Sequence, residues 1–266
     1  TGMLEAEVVP RVRRSAESGS SAAALARAKF YLFGLSESAF ADRCGAWMDR
    51  AGNPLLGVTA KNAILTARLV AREADERAAA ELLARRASEF RERFAEWIFS
   101  ETDAEPAWAL GRELIRRKLT VAIAESCTGG LVAEKLTRVP GISAVFERGM
   151  ITYSNRAKEE MLGVEASLIE KHGAVSAQVA EAMARGAAER SGARFAVSVT
   201  GIAGPDGGTA EKPVGLVWFG ISADGATSSL ERRFAVRGRD LIREFAANTA
   251  LDLLRRNLPK ERAPRG

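Results

Sequence analysis

A serine followed closely by two glycines is the first feature of this sequence that could carry chemistry. The segment Glu125–Gly130 reads Glu-Ser-Cys-Thr-Gly-Gly and lies between a short apolar run and a stretch with helical spacing. A serine there is held by rigid elements, and free N–H groups at a helix start attract negative charge. The segment predicts Ser126 as a nucleophile, with N–H groups around Gly129 and Gly130 holding an oxyanion. Alternatively, Ser126 or Thr128 simply caps the following helix, which the local pattern alone favours.

A lysine at the start of another predicted helix is the candidate base. In the segment 153–158, a serine or an asparagine would be the N-cap, which places Lys158 in the first helical turn. The partial positive charge of that helix end, together with burial, favours the neutral amine. A neutral lysine can deprotonate a serine, and Tyr153 at the strand end could relay the proton or hold the lysine. The alternative is a surface lysine paired with Glu159 or Glu125.

A glycine-rich loop and an arginine are candidates for binding an anion. Residues 200–208 begin with Thr200 at a strand end and contain four glycines and a proline, a composition suited to a backbone nest for phosphate. Arg239, at a predicted helix start, could clamp a phosphate with two hydrogen bonds. The alternatives are an ordinary tight connection and an exposed arginine paired with Asp240 or Glu244.

The histidine and cysteine counts exclude several classes of enzyme. The chain has one histidine, His172, and two cysteines, Cys44 and Cys127. These numbers exclude multi-histidine metal sites, a four-cysteine zinc site and a disulfide framework, so we expect neither a metal nor a cofactor. His172 falls at the end of a predicted short helix, where a structural role is the more common one. Cys127 could be a nucleophile, but its position is more typical of a small packed residue.

Two successive patterns of strands and helices must position these residues. The first predicts strands at 29–35, 55–59, 64–70 and 97–99 and helices at 36–48 and 74–94. The second predicts strands at 120–124, 146–153, 195–200, 214–222 and 229–236, and helices at 108–118, 131–138, 155–162, 176–190 and 239–258. We therefore expect a small α+β domain, followed by a three-layer α/β/α sandwich with a mixed sheet.

Composition sets the broad class and the expected domains. The chain has 266 residues, 47% of them hydrophobic and 27% charged, as in globular proteins. No apolar run approaches the length of a membrane span and residues 1–14 lack a signal peptide pattern, so we expect no membrane association and a cytoplasmic protein. The expected domains are a remnant or linker at 1–23, the small domain at 24–104, the large one at 105–258 and a basic tail at 259–266.

The net charge of +5 invites a nucleic-acid interpretation, but its distribution argues against one. Much of the excess lies beyond Leu253, where Glu261 is outnumbered by Arg255, Arg256, Lys260, Arg262 and Arg265. A solvated tail is therefore favoured over a DNA-binding stripe.

Motifs over residues 108–258 resemble the C-terminal domain of the CinA family. The residues that carry the resemblance occur in the family's order and are Ala124–Gly130, Phe146–Gly149 with Thr152–Asn155, His172–Ser176, and Gly201–Gly208 with Lys212–Gly215. The resemblance implies hydrolysis of the amide of nicotinamide mononucleotide to nicotinate mononucleotide and ammonia. It implies that Ser126, Tyr153 and Lys158 are catalytic. The candidate substrate-binding residues are Thr128, Gly129, Gly130, Thr200, Gly201, Gly204 and Arg239.

The upstream segment is similar to the middle domain of the same family. Leu32–Ser38 and Asn53-Pro54 carry that similarity, which implies a KH-like topology. Gly52 and Gly57 are too far apart for the G-x-x-G clamp through which KH domains hold nucleic acid, so we do not expect nucleic-acid binding. Met3–Pro10 resembles the end of the family's N-terminal, molybdopterin-binding-like domain. We expect that domain and its metal-dependent pyrophosphatase activity to be absent from this chain.

The sequence thus predicts a hydrolase acting on a linear carboxamide. The expected partner is its small-molecule substrate, nicotinamide mononucleotide, and the expected assembly is a homo-oligomer, namely a dimer. The alternative is a non-catalytic, competence- or DNA-damage-associated protein that binds nucleic acid through the small domain and the basic tail.

Overall fold

A computed structural model describes residues 23–235 and 238–259 of the chain. The predictions for the remnant at 1–22 and for the basic tail beyond Pro259 lie outside these residues. The chain divides into two compact units, the first ending at Thr102 and the second beginning at Asp103. This division falls within the acidic segment 101–106. No helix of residues 23–235 and 238–259 is both long enough and apolar enough to cross a lipid bilayer.

The first unit has the predicted order β-α-β-β-α-β. Its elements are β1 (Ala24–Phe33), α1 (Glu37–Cys44), β2 (Leu55–Lys61), β3 (Ile64–Glu73), α2 (Glu76–Phe94) and β4 (Ile98–Ser100). The antiparallel sheet has the strand order β2-β3-β1-β4. Ser36 caps α1 through its hydroxyl, as expected, although the helix gives way to a 3-10 turn over Gly45–Met48. Phe30, Phe40, Phe90 and Phe94 are fully buried between sheet and helices.

Strand β1 begins at Ala24 rather than at the predicted Lys29. Its first residues alternate between half-buried alanines and the exposed Leu25 and Arg27, so they show little hydrophobic pattern. They are nevertheless paired with β3 along its whole length, from Ala24 opposite Glu73 to Phe33 opposite Ile64. Cross-strand pairing therefore sets the length of this strand.

The second unit is a mixed α/β structure, as predicted. Its elements are α3 (Pro106–Arg117), β5 (Val121–Glu125), α4 (Leu131–Thr137), β6 (Phe146–Ile151), α5 (Asn155–Leu162), α6 (Ala166–His172), α7 (Ala177–Ser191), β7 (Phe195–Gly201), β8 (Leu216–Ala223), β9 (Ala226–Arg233) and α8 (Arg239–Asn257). Strand β6 ends two residues before Tyr153, because the chain turns there and Ser154 caps α5.

The five strands of this unit form a single sheet between two helical layers. The strand order is β6-β5-β7-β8-β9. Strands β6, β5 and β7 are parallel to one another, β8 is antiparallel to β7, and β9 is antiparallel to β8. Alternate residues of β5 point to opposite faces: Val121 and Ile123 pack with α3, α4 and α8, while Ala122 and Ala124 pack with α5, α6 and α7. The predicted three-layer sandwich with a mixed sheet is thus confirmed.

Close packing of α7 on the sheet depends on a glycine in β8. A Cβ atom at Gly220 would overlap the carbonyl oxygen of Ala180, which also accepts a hydrogen bond from Ser198 Oγ. We expect Gly220→Ala to lower the free energy of unfolding by about 1–3 kcal/mol, because α7 must move away from the sheet. Urea denaturation measures this change. Gly57→Ala, where an added Cβ meets nothing within 4 Å, is the control. A Gly220→Ala variant as stable as the parent would contradict the close approach.

Candidate active site

The functional loops meet where the sheet reverses its direction of winding. The connection from β5 to β6 runs through α4 on one face, and the connection from β6 to β7 runs through α5, α6 and α7 on the other. Because β6 and β7 flank β5, the ends of these three parallel strands form the crevice where open α/β sheets bind ligands. Ser126 follows β5, Lys158 follows β6 and Thr200 lies at the end of β7.

Ser126 and Lys158 are brought together in this crevice. Lys158 is 1% exposed, and its Nζ atom lies 3.2 Å from Ser126 Oγ. The same Nζ atom lies 2.9 Å from the carbonyl oxygen of Thr152 and 3.4 Å from that of Tyr153. Glu125 and Glu159, the two carboxylates considered as ion-pair partners of the lysine, are not among these hydrogen-bond partners of Nζ. The amine therefore has only uncharged oxygen neighbours among the residues that the structure describes.

Burial alters the protonation of this lysine. Desolvation lowers the pKa of Lys158 and outweighs an opposing contribution from Cys127. The helix start contributes typically 0.3–1 kcal/mol in the same direction. The burial that a lysine base requires is present, and no ion pair opposes it.

Tyr153 does not lie between the serine and the lysine. Its side chain is 58% exposed, and its hydroxyl accepts a hydrogen bond from Arg239 Nη2 at 2.8 Å. Only its backbone carbonyl contacts Lys158. The direct contact between Lys158 and Ser126 makes the predicted relay through Tyr153 unnecessary. The expected contact of Tyr153 with the lysine is therefore made by its main-chain carbonyl and not by its side chain.

Arg239 spans the cavity between two loops. Its Nη1 atom donates to the carbonyl oxygen of Gly204 at 2.8 Å, while Nη2 reaches Tyr153. The guanidinium group therefore lies at the mouth of the cavity, where it would meet an anionic group of a ligand.

The N–H groups of the two glycines after Ser126 are already used. Gly129 N–H donates to the carbonyl oxygen of Ser126, and Gly130 N–H donates to Glu125 Oε2. The expectation that they hold an oxyanion is therefore corrected: they shape the loop, and Gly130 adopts the left-handed φ of 96°. Cys127 lines the cavity, and its N–H has no hydrogen bond to another residue in the described part of the chain. It is one main-chain donor next to the serine.

Thr128 is fully buried, and its hydroxyl has no hydrogen-bond partner among the residues described. Its carbonyl oxygen accepts a hydrogen bond from Arg243 Nη2 at 2.9 Å. In this conformation Thr128 offers no surface to a ligand, so its substrate-binding role stays a prediction.

Gly201, the last residue of β7, and Gly204, in the loop that follows, have a packing reason that the composition did not reveal. A Cβ atom at Gly201 would lie 2.7 Å from Val217 Cγ2, and one at Gly204 would lie 2.7 Å from Val214 Cγ1. These glycines let the loop pack against the start of β8. This explains them without an anion nest, although Gly201 still lines the cavity.

The cavity itself has a volume of about 210 Å³. Thr200 forms part of its wall, and its hydroxyl donates to the carbonyl oxygen of Ala174 at 2.8 Å, which ties β7 to the turn before α7. The complete lining is Ser126, Cys127, Tyr153, Asn155, Lys158, Ala174, Val175, Thr200, Gly201, Ala203 and Arg239.

Four lining residues and one supporting residue were not assigned from the sequence. Asn155, Ala174 and Val175 lie inside the motifs already quoted, so those motifs were the available signal. Ala203 lies in the glycine-rich loop. Arg243 gave no signal, because its contact with Thr128 joins residues far apart in the chain.

The main chain of His172 and the side chain of Cys127 both take part in local packing. The carbonyl oxygen of His172 accepts a hydrogen bond from Lys212 Nζ at 2.7 Å. Cys127 belongs to the core, and burial raises the pKa of its thiol to about 12. No group of three or more His, Cys, Asp or Glu residues that could hold a metal ion occurs in residues 23–235 and 238–259.

We expect Cys127→Ala to retain most of the activity of the parent chain. A thiol with a raised pKa is a poor nucleophile at neutral pH, since the thiolate is the reactive form. Steady-state kinetics measure the activity of the variant. The rate at which the parent reacts with iodoacetamide measures the reactivity of the thiol, and we expect this rate to be low. Activity lost in Cys127→Ala at an unchanged melting temperature would contradict it.

Comparison with known proteins agrees with this architecture. The family model of the CinA C-terminal domain matches residues 104–258, and that of the KH domain of damage-inducible protein CinA matches residues 27–100. A competence-damage inducible protein of Clostridium kluyveri is 43% identical over 85% of this chain and 55% of its own length. A CinA-like protein of Geobacter sulfurreducens is 43% identical over 96% of this chain and 61% of its own length. The chain thus spans little more than half the length of these relatives.

Solved structures resemble more than half of the chain. A competence/damage inducible protein of Agrobacterium tumefaciens has a TM-score of 0.54 and 49% identity, covering 57% of this chain and 94% of that one. A CinA superfamily protein of Escherichia coli has a TM-score of 0.55 and 33% identity, covering 57% of this chain and 88% of that one. With both family models matched in order, the chain belongs to the CinA family.

Proposed function

We propose that the chain is an amidase that hydrolyses nicotinamide mononucleotide to nicotinate mononucleotide and ammonia. The observation that carries the proposal is the buried Lys158 amine, 3.2 Å from Ser126 Oγ and without a carboxylate neighbour. A serine beside a neutral lysine is a nucleophile with its own base, which suits acyl transfer from a carboxamide.

The neighbours of Lys158 fit a neutral amine. A neutral amine has two N–H groups, which the carbonyl oxygens of Thr152 and Tyr153 can accept. Its lone pair then faces Ser126 Oγ and takes the hydroxyl proton as the oxygen attacks the amide carbon. The N–H of Cys127 is the proposed donor to the oxygen that becomes negative.

The rest of the cycle returns the proton to the leaving group. The tetrahedral intermediate collapses when Lys158 gives its extra proton to the amide nitrogen, so ammonia leaves and Ser126 carries an acyl group. Water then attacks this ester, with Lys158 as base, and releases the carboxylate and the free serine. Lys158 thus accepts one proton and gives it back within each half of the cycle.

The charge at the cavity mouth supports a phosphorylated substrate. Arg239 lies between Gly204 and Tyr153, where its guanidinium group can turn from these neutral oxygens to a phosphate. A phosphate at Arg239 would hold the pyridine ring in the cavity, with its carboxamide towards Ser126.

The test is a direct assay of both products. Purified protein is incubated with nicotinamide mononucleotide, and ammonia and nicotinate mononucleotide are quantified, with nicotinamide riboside as the control that lacks the phosphate. We expect equal amounts of both products and slower reaction of the riboside. No ammonia from the mononucleotide, together with DNA binding that weakens steeply with salt, would favour the nucleic-acid alternative.

We also expect activity to survive exhaustive chelation. The mechanism uses a serine, a lysine and main-chain groups, and all of these are supplied by the chain. Ammonia release is measured before and after dialysis against EDTA. Activity lost on chelation and restored by a divalent ion would refute metal independence.

A further inference from the structure

We propose that Glu125 is a positioning residue that holds Ser126 in register with Lys158. This inference rests on the proposed function in so far as Ser126 is the nucleophile. It concerns the acidic residue whose place in the sequence, next to Ser126, made it a candidate ion-pair partner of the lysine.

The carboxylate of Glu125 is buried and fully engaged with main-chain N–H groups. The residue is 1% exposed. Oε2 accepts hydrogen bonds from Gly130 at 3.0 Å and Val132 at 3.1 Å, and Oε1 accepts one from Ala133 at 2.9 Å. Three bonds from a helix start to one carboxylate are charge-assisted, so they are stronger than bonds between neutral groups. They close a ring around the four residues that follow Glu125, including Ser126.

The main chain of the same residue holds the other half of the site. The carbonyl oxygen of Glu125 accepts a hydrogen bond from Thr152 N–H at 2.7 Å. The carbonyl oxygen of Thr152 in turn accepts one from Lys158 Nζ at 2.9 Å. One residue therefore connects the loop that carries the serine with the turn that carries the lysine.

This arrangement also accounts for the absence of an ion pair at the lysine. Glu125 immediately precedes Ser126, yet its carboxylate lies on the N-terminal N–H groups of α4 and not on Lys158. The helix start satisfies the negative charge, and the amine keeps its neutral neighbours.

The experiment separates positioning from stability through the labelling kinetics of Ser126. A fluorophosphonate probe forms a bond between Ser126 Oγ and phosphorus, with fluoride as the leaving group and Lys158 as the acceptor of the proton. The rate constant reports the alignment of Ser126 and Lys158, and the amplitude reports the fraction of folded protein. The first variant is Glu125→Gln, whose amide keeps one acceptor oxygen and places an NH₂ group against the main-chain N–H groups. The second is Glu125→Asp, whose side chain is too short to reach all three N–H groups. Glu159→Gln is the matched control.

We expect both Glu125 variants to label to full amplitude with a rate constant reduced about 100-fold, the scale of a misplaced reacting group. KM for nicotinamide mononucleotide should stay near that of the parent while kcat falls, and Glu159→Gln should behave as the parent. A reduced amplitude with an unchanged rate constant would overturn the proposal, and so would failure of both variants to fold.

The two proposals fail in different ways. If the parent releases no ammonia but Ser126 still labels at a rate that depends on Glu125, the amidase function fails and the positioning role stands. If the parent hydrolyses the mononucleotide and both variants match it in kcat and labelling rate, only the positioning role fails.

Discussion

Replacement of Ser126 by alanine is expected to abolish ammonia release from nicotinamide mononucleotide, with kcat falling by about 10⁶-fold, the scale seen when the nucleophile of a serine hydrolase is removed. The variant loses only Oγ, whose hydrogen-bond partner is Lys158 Nζ. The main-chain bond from Ser126 N–H to Val199 remains, so the loop should keep its shape. Steady-state kinetics measure the loss, and calorimetry measures substrate binding, which should be unchanged.

The control for this prediction is Cys127→Ala, which removes Sγ of the neighbouring residue in the same loop. We expect it to remain active. Full activity in Ser126→Ala, or an acyl group found on Cys127, would reject Ser126 as the nucleophile.

Replacement of Lys158 by arginine is expected to reduce kcat by at least about 10³-fold, within the range of a lost general base. Arginine stays protonated at any usable pH, so it cannot accept the serine proton. The exposed Lys171→Arg on α6 is the matched control, because it makes the same change away from the cavity. A Lys158→Arg variant with a near-normal rate would leave lysine a substrate-binding role at most.

The pH dependence follows from the sign of the shift at Lys158. Burial lowers the pKa of its amine, and the base is the neutral form. The rate should therefore be low in acid, rise as pH passes through the lowered pKa, and level off above it. A profile of kcat/KM against pH should place this midpoint clearly below about 10.4, the value of a free lysine. A rate that still climbs at that pH would contradict a buried neutral base.

The sequence contained the elements of the site because each functional residue follows a strand with a strong local pattern. The apolar run before Ser126 and the capped helix start before Lys158 are local signals. Parallel strands then bring their ends to one edge of the sheet. The burial of Lys158 was expected only on the hypothesis that it is the base, since the local pattern equally allowed a surface lysine.

The remaining features depend on contacts that no local pattern records. The link from Arg239 to Tyr153 joins residues on different elements, and so does the packing of Gly204 against Val214. The glycine-rich loop looked like an anion nest because composition shows conformational freedom and does not show what lies opposite each glycine. The three N–H partners of Glu125 were equally hidden, since the carboxylate of a glutamate at a strand end has many possible hydrogen-bond donors around it.

The central claim is that Ser126 is acylated by the substrate with Lys158 as its base. The most direct test is rapid-quench mass spectrometry of the parent chain mixed with nicotinamide mononucleotide, with fragmentation to locate the modified residue. We expect a nicotinate mononucleotide acyl group on Ser126 that appears with the first ammonia released and is missing from Lys158→Arg. Ammonia released at the full rate with no acylated Ser126 at any quench time, or with the acyl group on another residue, would contradict it.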